Sequence, residues 1–86
     1  MLARIQITNT EAVVYTCPSG KAAVVRITVV SNDGSNVPMT IKINDLVFWT
    51  MTINFVRTDP VWLTAGDVIK VGTSGTVNVF VDGKEY

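Results

Sequence analysis

The chain has 86 residues, with seven basic and seven acidic side chains, one cysteine and no histidine. Those counts exclude an internal disulfide and a multi-thiolate metal site, histidine-based nucleophile systems and the broad basic surface that nucleic-acid binding needs. The composition is 48% hydrophobic and 16% charged, too apolar for disorder and well below the roughly 25% charge of an ordinary domain.

Residue usage is strongly β: 15 valines, seven isoleucines and 11 threonines make 33 of 86 residues β-branched. Such side chains are stiff at χ1 and pack well on a pleated surface. No helical stripe of apolar residues runs uninterrupted. The first ten residues lack the apolar run of a signal peptide, so synthesis in a cytoplasm and a reduced Cys17 are expected. No stretch is long and apolar enough to suggest a membrane partner.

In chain order, two short strands are predicted at Ile5–Thr8 and Ala12–Thr16. Pro18-Ser19-Gly20-Lys21 links them to a longer strand in which Ala23, Val25, Ile27 and Val29 share one face. Asn32-Asp33-Gly34-Ser35-Asn36 is expected to close a tight hairpin, since Asp-Gly supplies positive φ. Val37, Met39, Ile41 and Ile43 form the next row. After a turn at Asn44-Asp45, Val47, Trp49, Met51, Ile53 and Phe55 form a third row that reads as core. Thr58-Asp59-Pro60 is a turn, because proline cannot donate in a ladder. Short strands follow at Val61–Leu63 and Val68–Val71, the second bracketed by Ala65-Gly66-Asp67 and Gly72-Thr73-Ser74-Gly75. Val77, Val79 and Val81 make the last row, before Asp82-Gly83 near the C-terminus.

About eight short strands with no helical spacer predict an all-β fold: a small antiparallel β-sandwich of jelly-roll or Greek-key type, with a small barrel as the alternative. Residues 1–86 form one domain, with a short N-terminal contact arm at residues 1–4. A domain this small buries a modest share of its surface. With disulfides excluded and no metal ligands in view, oligomerisation is the support left to it.

Candidate chemistry is sparse. Most aspartates sit in turn signals, where carboxylates cap local N–H groups. Paired carboxylates alone would suffice for a glycosidase, but so short a chain offers little room for a cleft. The Asn32–Asn36 loop lacks the spacing of a calcium loop, and Gly20-Lys21 lacks that of a phosphate loop. Cys17 has no activating neighbour. Tyr15, Phe48, Trp49 and Trp62 are candidates for a flat aromatic platform that would hold a sugar. No enzyme activity, cofactor or metal is expected.

The faces that should be polar are instead poor in charge. Val24 and Val30 lie opposite the Val25 row, Phe48 opposite the Trp49 row, Phe80 opposite the Val79 row, and Trp62 between Val61 and Leu63. Together with Tyr86 and the terminal segments Met1–Arg4 and Lys84–Tyr86, these are the candidate interface residues: a chain this apolar would aggregate unless another chain covered part of it.

Several segments carry a resemblance in order along the chain. Val14-Tyr15-Thr16-Cys17-Pro18-Ser19-Gly20-Lys21-Ala22-Ala23-Val24-Val25 resembles an opening motif of small virion structural proteins of tailed bacteriophages. Ile27–Asn32 is similar to the strand that follows in them. Leu63-Thr64-Ala65-Gly66-Asp67-Val68-Ile69-Lys70-Val71 and Val77–Glu85 resemble their later segments. Cys17 and the aromatic-rich Phe48–Phe55 depart from the pattern. The resemblance implies a non-enzymatic capsid decoration (cement) protein, often a homotrimer, that binds the major capsid protein on the virion surface and stabilises contacts between its subunits. The alternative it leaves open is a head-fibre or tail-fibre component that binds carbohydrate on the host surface.

Overall fold

A computed structural model describes residues 1–86 as nine antiparallel strands in two sheets, with no helix. The strands are β1 (Ala3–Thr8), β2 (Glu11–Thr16), β3 (Ala23–Ser31), β4 (Val37–Ile43), β5 (Leu46–Ile53), β6 (Phe55–Arg57), β7 (Val61–Leu63), β8 (Val68–Thr73) and β9 (Thr76–Glu85). One sheet, here sheet A, runs β1-β9-β3, with β6 and β7 both on the far side of β3. Sheet B runs β2-β8-β4-β5.

The pairing is nested. The first strand pairs the last, β2 pairs β8, β3 pairs β6 and β7, and β4 pairs β5. A long two-stranded ribbon wrapped over itself gives this order, which is that of a jelly roll. β6 and β7 are one strand interrupted, which reconciles nine segments with the eight expected. The interruption at Thr58-Asp59-Pro60 is therefore no turn to a new partner, because both flanks pair β3. The buried Thr58 bridges the gap: its N–H donates to the Ile27 carbonyl at 2.9 Å, and its Oγ1 accepts from the Ile27 N–H at 3.1 Å.

The alternation of β3 reads directly as burial. Ala23, Val25, Ile27 and Val29 are buried, as are Met39 and Ile41 in β4, Ile69 and Val71 in β8, and Val77, Val79 and Val81 in β9. These rows meet between the sheets as one apolar core, the main favourable contribution to folding.

Two further expectations are corrected. The Asn32–Asn36 segment closes no hairpin, because β3 and β4 lie in different sheets. It crosses between sheets, held by Asp33, whose Oδ1 accepts from Ser31 Oγ, Ser35 N and Ser35 Oγ. The tight hairpin is at Asn44-Asp45, where φ is +52° and +64°, the two positive values that a type I′ turn requires. The N-terminal arm is docked: Ala3 and Arg4 pair Val81 and Phe80, and the Leu2 N–H donates to the Val81 carbonyl at 2.8 Å.

The Val47–Phe55 row is the second. A bulge shifts the β4–β5 register from Ile41↔Trp49 to Lys42↔Val47, which leaves Phe48 unpaired and turns Val47 away from the core. Trp49 and Ile53 pack against the core. Met51 lies opposite the fully buried Met39 yet is 55% exposed, because β5 is the edge strand of sheet B and has a neighbour on one side only. Phe55 belongs to β6 and faces out from sheet A.

Candidate functional site

The outer face of sheet A is built by the even positions of β3, whose odd positions fill the core. Cross-strand register places its neighbours in rows. Lys84, Val24 and Trp62 form one row, and Asp82 and Arg26 the next. Arg4, Phe80, Thr28 and Arg57 form the third, and Gln6, Asn78, Val30 and Phe55 the fourth. Tyr86 continues β9 past its last paired residue: its N–H donates to the Ala22 carbonyl at 2.8 Å, and its carbonyl accepts from the Ala22 N–H. Five of the six expected interface residues, Val24, Val30, Trp62, Phe80 and Tyr86, therefore share one face. Phe48 does not; it sits on β5, in the other sheet.

Two features of this face went unnoticed in the sequence. The first is an aromatic stack. The Trp62 and Tyr86 rings lie 6.1 Å apart at 18°, within the range for offset stacking. They are 73% and 60% exposed, so the pair stands on the surface as a flat apolar step, with Lys84 Nζ 5.3 Å from the Tyr86 ring. The signal for it was the pairing of β7 and β9 on either side of β3, which no local pattern announces.

The second is charge. All three arginines of the chain, Arg4, Arg26 and Arg57, lie on this face. None makes an ion pair. Arg26 donates to the Thr58 carbonyl at 3.2 Å, and Asp82, opposite Arg26 in register, is 4.0 Å from the N-terminal ammonium. An open groove lined by Arg26, Arg57, Pro60 and Asp82 crosses the middle of the face. The lysines of sheet B differ: Lys42 pairs Glu11 at 3.0 Å, and Lys70 pairs Asp45. No protein-family model and no curated protein matches this sequence. The function must be read from the face itself.

The remaining candidates do not converge. Tyr15 is buried, and its hydroxyl donates to Glu85 at 2.6 Å, so the platform of Tyr15, Phe48, Trp49 and Trp62 does not form. No three His, Cys, Asp or Glu side chains come together as a metal site would need. Cys17 is buried, with its Sγ toward the Lys21 carbonyl. Burial, and then the charges of Asp67 and Glu85, raise its pKa. No helix is long and apolar enough to cross a membrane.

The turn carboxylates are structural. Asp67 accepts from the Thr64 N–H and from Asn44 Nδ2, both at 2.8 Å, and Asn44 Oδ1 accepts from the Val68 N–H. These bonds lock the β4–β5 and β7–β8 turns together and hold Asp67 below its ordinary value of 3.8. Asp33 and Asp45 are lowered too, by the Ser35 hydroxyl and by Lys70 respectively. Their folded pKa values lie below the unfolded ones, so the stability they contribute is complete above about pH 5 and is lost as pH falls through the lowered values. Tyr15, raised by burial and then by Glu85, and Cys17 act at the other end: their contribution is present below their ordinary values of 10.0 and 9.0 and is lost as pH rises past them. With no histidine, thermal melts should give a Tm that is flat from about pH 5 to 8 and falls on both sides. Asp67→Asn should lower Tm at neutral pH and make the acid fall shallower.

Proposed function

We propose that this chain is a structural assembly protein, a decoration protein of a tailed-phage capsid, and that the outer face of sheet A is the surface it lays on the major capsid protein. The observation that carries the reading is the composition of that face. It gathers Trp62, Tyr86, Phe80, Phe55 and three arginines without carboxylate partners on one sheet. Aromatic residues and arginine are what protein interfaces enrich, and lysine and carboxylates are what they lose.

The physical mechanism is apolar burial around the aromatic step, with the arginines reaching for carboxylates on the capsid subunit. Repetition over a shell multiplies modest contacts by avidity. The chain supports this by being rigid: its core rows are continuous and its buried side-chain polar atoms are all hydrogen-bonded. The ordered sequence motifs that resemble small phage virion proteins supply the identity of the partner.

Copy number tests the reading. Quantitative mass spectrometry of purified virions should find hundreds of copies per particle. A few copies, or none, would overturn the shell assignment. The stacked Trp62–Tyr86 pair also favours a second reading, a fibre component that holds sugar on an aromatic face. That reading requires a glycan-dependent change in tryptophan fluorescence, whereas decoration requires none.

A further inference from the structure

We propose that β5 is the seam through which two copies of this chain join, edge to edge about a two-fold axis. The proposal concerns a different surface from the shell-binding face and does not rest on it.

A sheet edge exposes a row of unpaired N–H and C=O groups, and proteins protect such edges with charge, proline, bulges or short length. This fold has four edges, and three are protected. On sheet A, β6 and β7 have three residues each and are split by Thr58–Pro60, and β1 carries Arg4. On sheet B, β2 carries Glu11 and a bulge at Val13–Tyr15. β5 carries one such device, the bulge at Phe48, and leaves Trp49–Ile53 regular and uncharged beyond it. It has eight residues and pairs only β4. From Leu46 to Val56 no residue is charged and none is proline. Asp45, just before it, is already neutralised by Lys70.

The strand is also apolar where it is uncovered. Leu46 is 74% exposed, and Val47, Phe48 and Met51 are each about half exposed or more. Met51 faces inward, opposite the buried Met39, at the open edge of sheet B.

The geometry commits the edge to a second copy. The regular part of β5 is Trp49–Ile53, bounded by the bulge at Phe48 and by the bend at Asn54. Its centre is Met51. A two-fold axis normal to the sheet must match inward residues with inward ones. With Met51 on the axis that condition holds at every position. Met51 of one copy meets Met51 of the other, Trp49 lies across from Ile53, and Thr50 lies across from Thr52. The inward stripe of each copy then covers that of the other, and methionine adapts to the join. On the outward side threonine meets threonine, as Thr40 already meets Thr50 within the chain at 3.1 Å. No like charges are brought together. The interface is isologous and closes on itself, so it consumes both free edges and stops at a dimer. Its symmetry is two-fold, in place of the three-fold that the resemblance implies.

Sedimentation equilibrium of the purified protein at micromolar concentration should report about 19 kDa, twice the 9.4 kDa chain. Met51→Lys, which sets two like charges on the axis, should give a monomer with an unchanged circular dichroism spectrum. The amides within 49–53 that point away from β4 should exchange slowly in the dimer and fast on dilution. Oxidation of Met51→Cys should cross-link two chains, while Arg4→Cys, on the β1 edge, should not cross-link. A wild-type monomer at these concentrations would overturn the proposal. So would a trimer in which those free-edge amides exchange freely, or a Met51→Cys protein that fails to cross-link, whatever becomes of Met51→Lys.

Discussion

Gly83→Ala is expected to destabilise the fold by about 3 kcal/mol or more, a large share of the roughly 5–15 kcal/mol that holds a domain together. Gly83 sits inside β9, opposite Val25 of the central strand β3. Its φ is +157°, and a Cβ built on it would lie 1.9 Å from the Val24 carbonyl oxygen and 2.8 Å from the Val25 Cα. Those are backbone atoms of a strand paired on both sides, so neither can swing aside as a side chain would. The last residues of β9 would have to leave β3. With them would go the Tyr15–Glu85 hydrogen bond and the Trp62–Tyr86 stack. Gly34→Ala is the control. Gly34 has φ +82° with nothing within 4 Å of an added Cβ, so it should lose only about 1–2 kcal/mol, from the backbone conformation alone. Urea unfolding of the two variants measures the contrast. A Gly83→Ala protein as stable as Gly34→Ala would show that β9 can shift without loss.

Gly83 also shows where the sequence misleads. Asp82-Gly83 reads as punctuation, because that pair usually turns a chain. Here the glycine serves close approach between two strands, and β9 runs on to Glu85. Alternation made the buried rows of β3, β4, β8 and β9 legible, since a period of two fixes which residues share a face. It also placed Val24, Val30 and Phe80 outside. It failed where a bulge adds a residue. At β2 the register shifts between Val13 and Tyr15, and Val14 and Tyr15 are both buried in succession. At β5 the bulge at Phe48 and the strand's place at the sheet edge left an apparent core row half exposed. Strand order was illegible for a different reason. The nested pairing joins residues as far apart as Ala3 and Val81, and local pattern carries no record of such partners. The gathering of three arginines on one face followed from that order alone.

Trp62→Ala is expected to weaken binding to phage heads by roughly 30-fold or more, since an aromatic anchor that seats in a partner's pocket contributes about 2 kcal/mol or more. At 73% exposure the same substitution should leave the fold within about 0.5–1.5 kcal/mol of wild type, the loss coming from the Tyr86 stack. A residue that matters for binding and hardly for folding marks a surface kept for a partner. Tyr86→Ala should weaken binding too, and the double variant should lose less than the sum, because one ring positions the other. Arg57→Glu tests the second component of the face. It should slow association and reverse the effect of salt, because the carboxylates it would face are those the wild-type arginine attracts. Co-sedimentation with heads that lack the protein, at two salt concentrations, reads all of these. Phe48→Ala, in the other sheet, should bind heads as wild type does. Equal losses for Phe48→Ala and Trp62→Ala would move the contact away from the outer face of sheet A. Full binding by Trp62→Ala would remove the aromatic step from the interface.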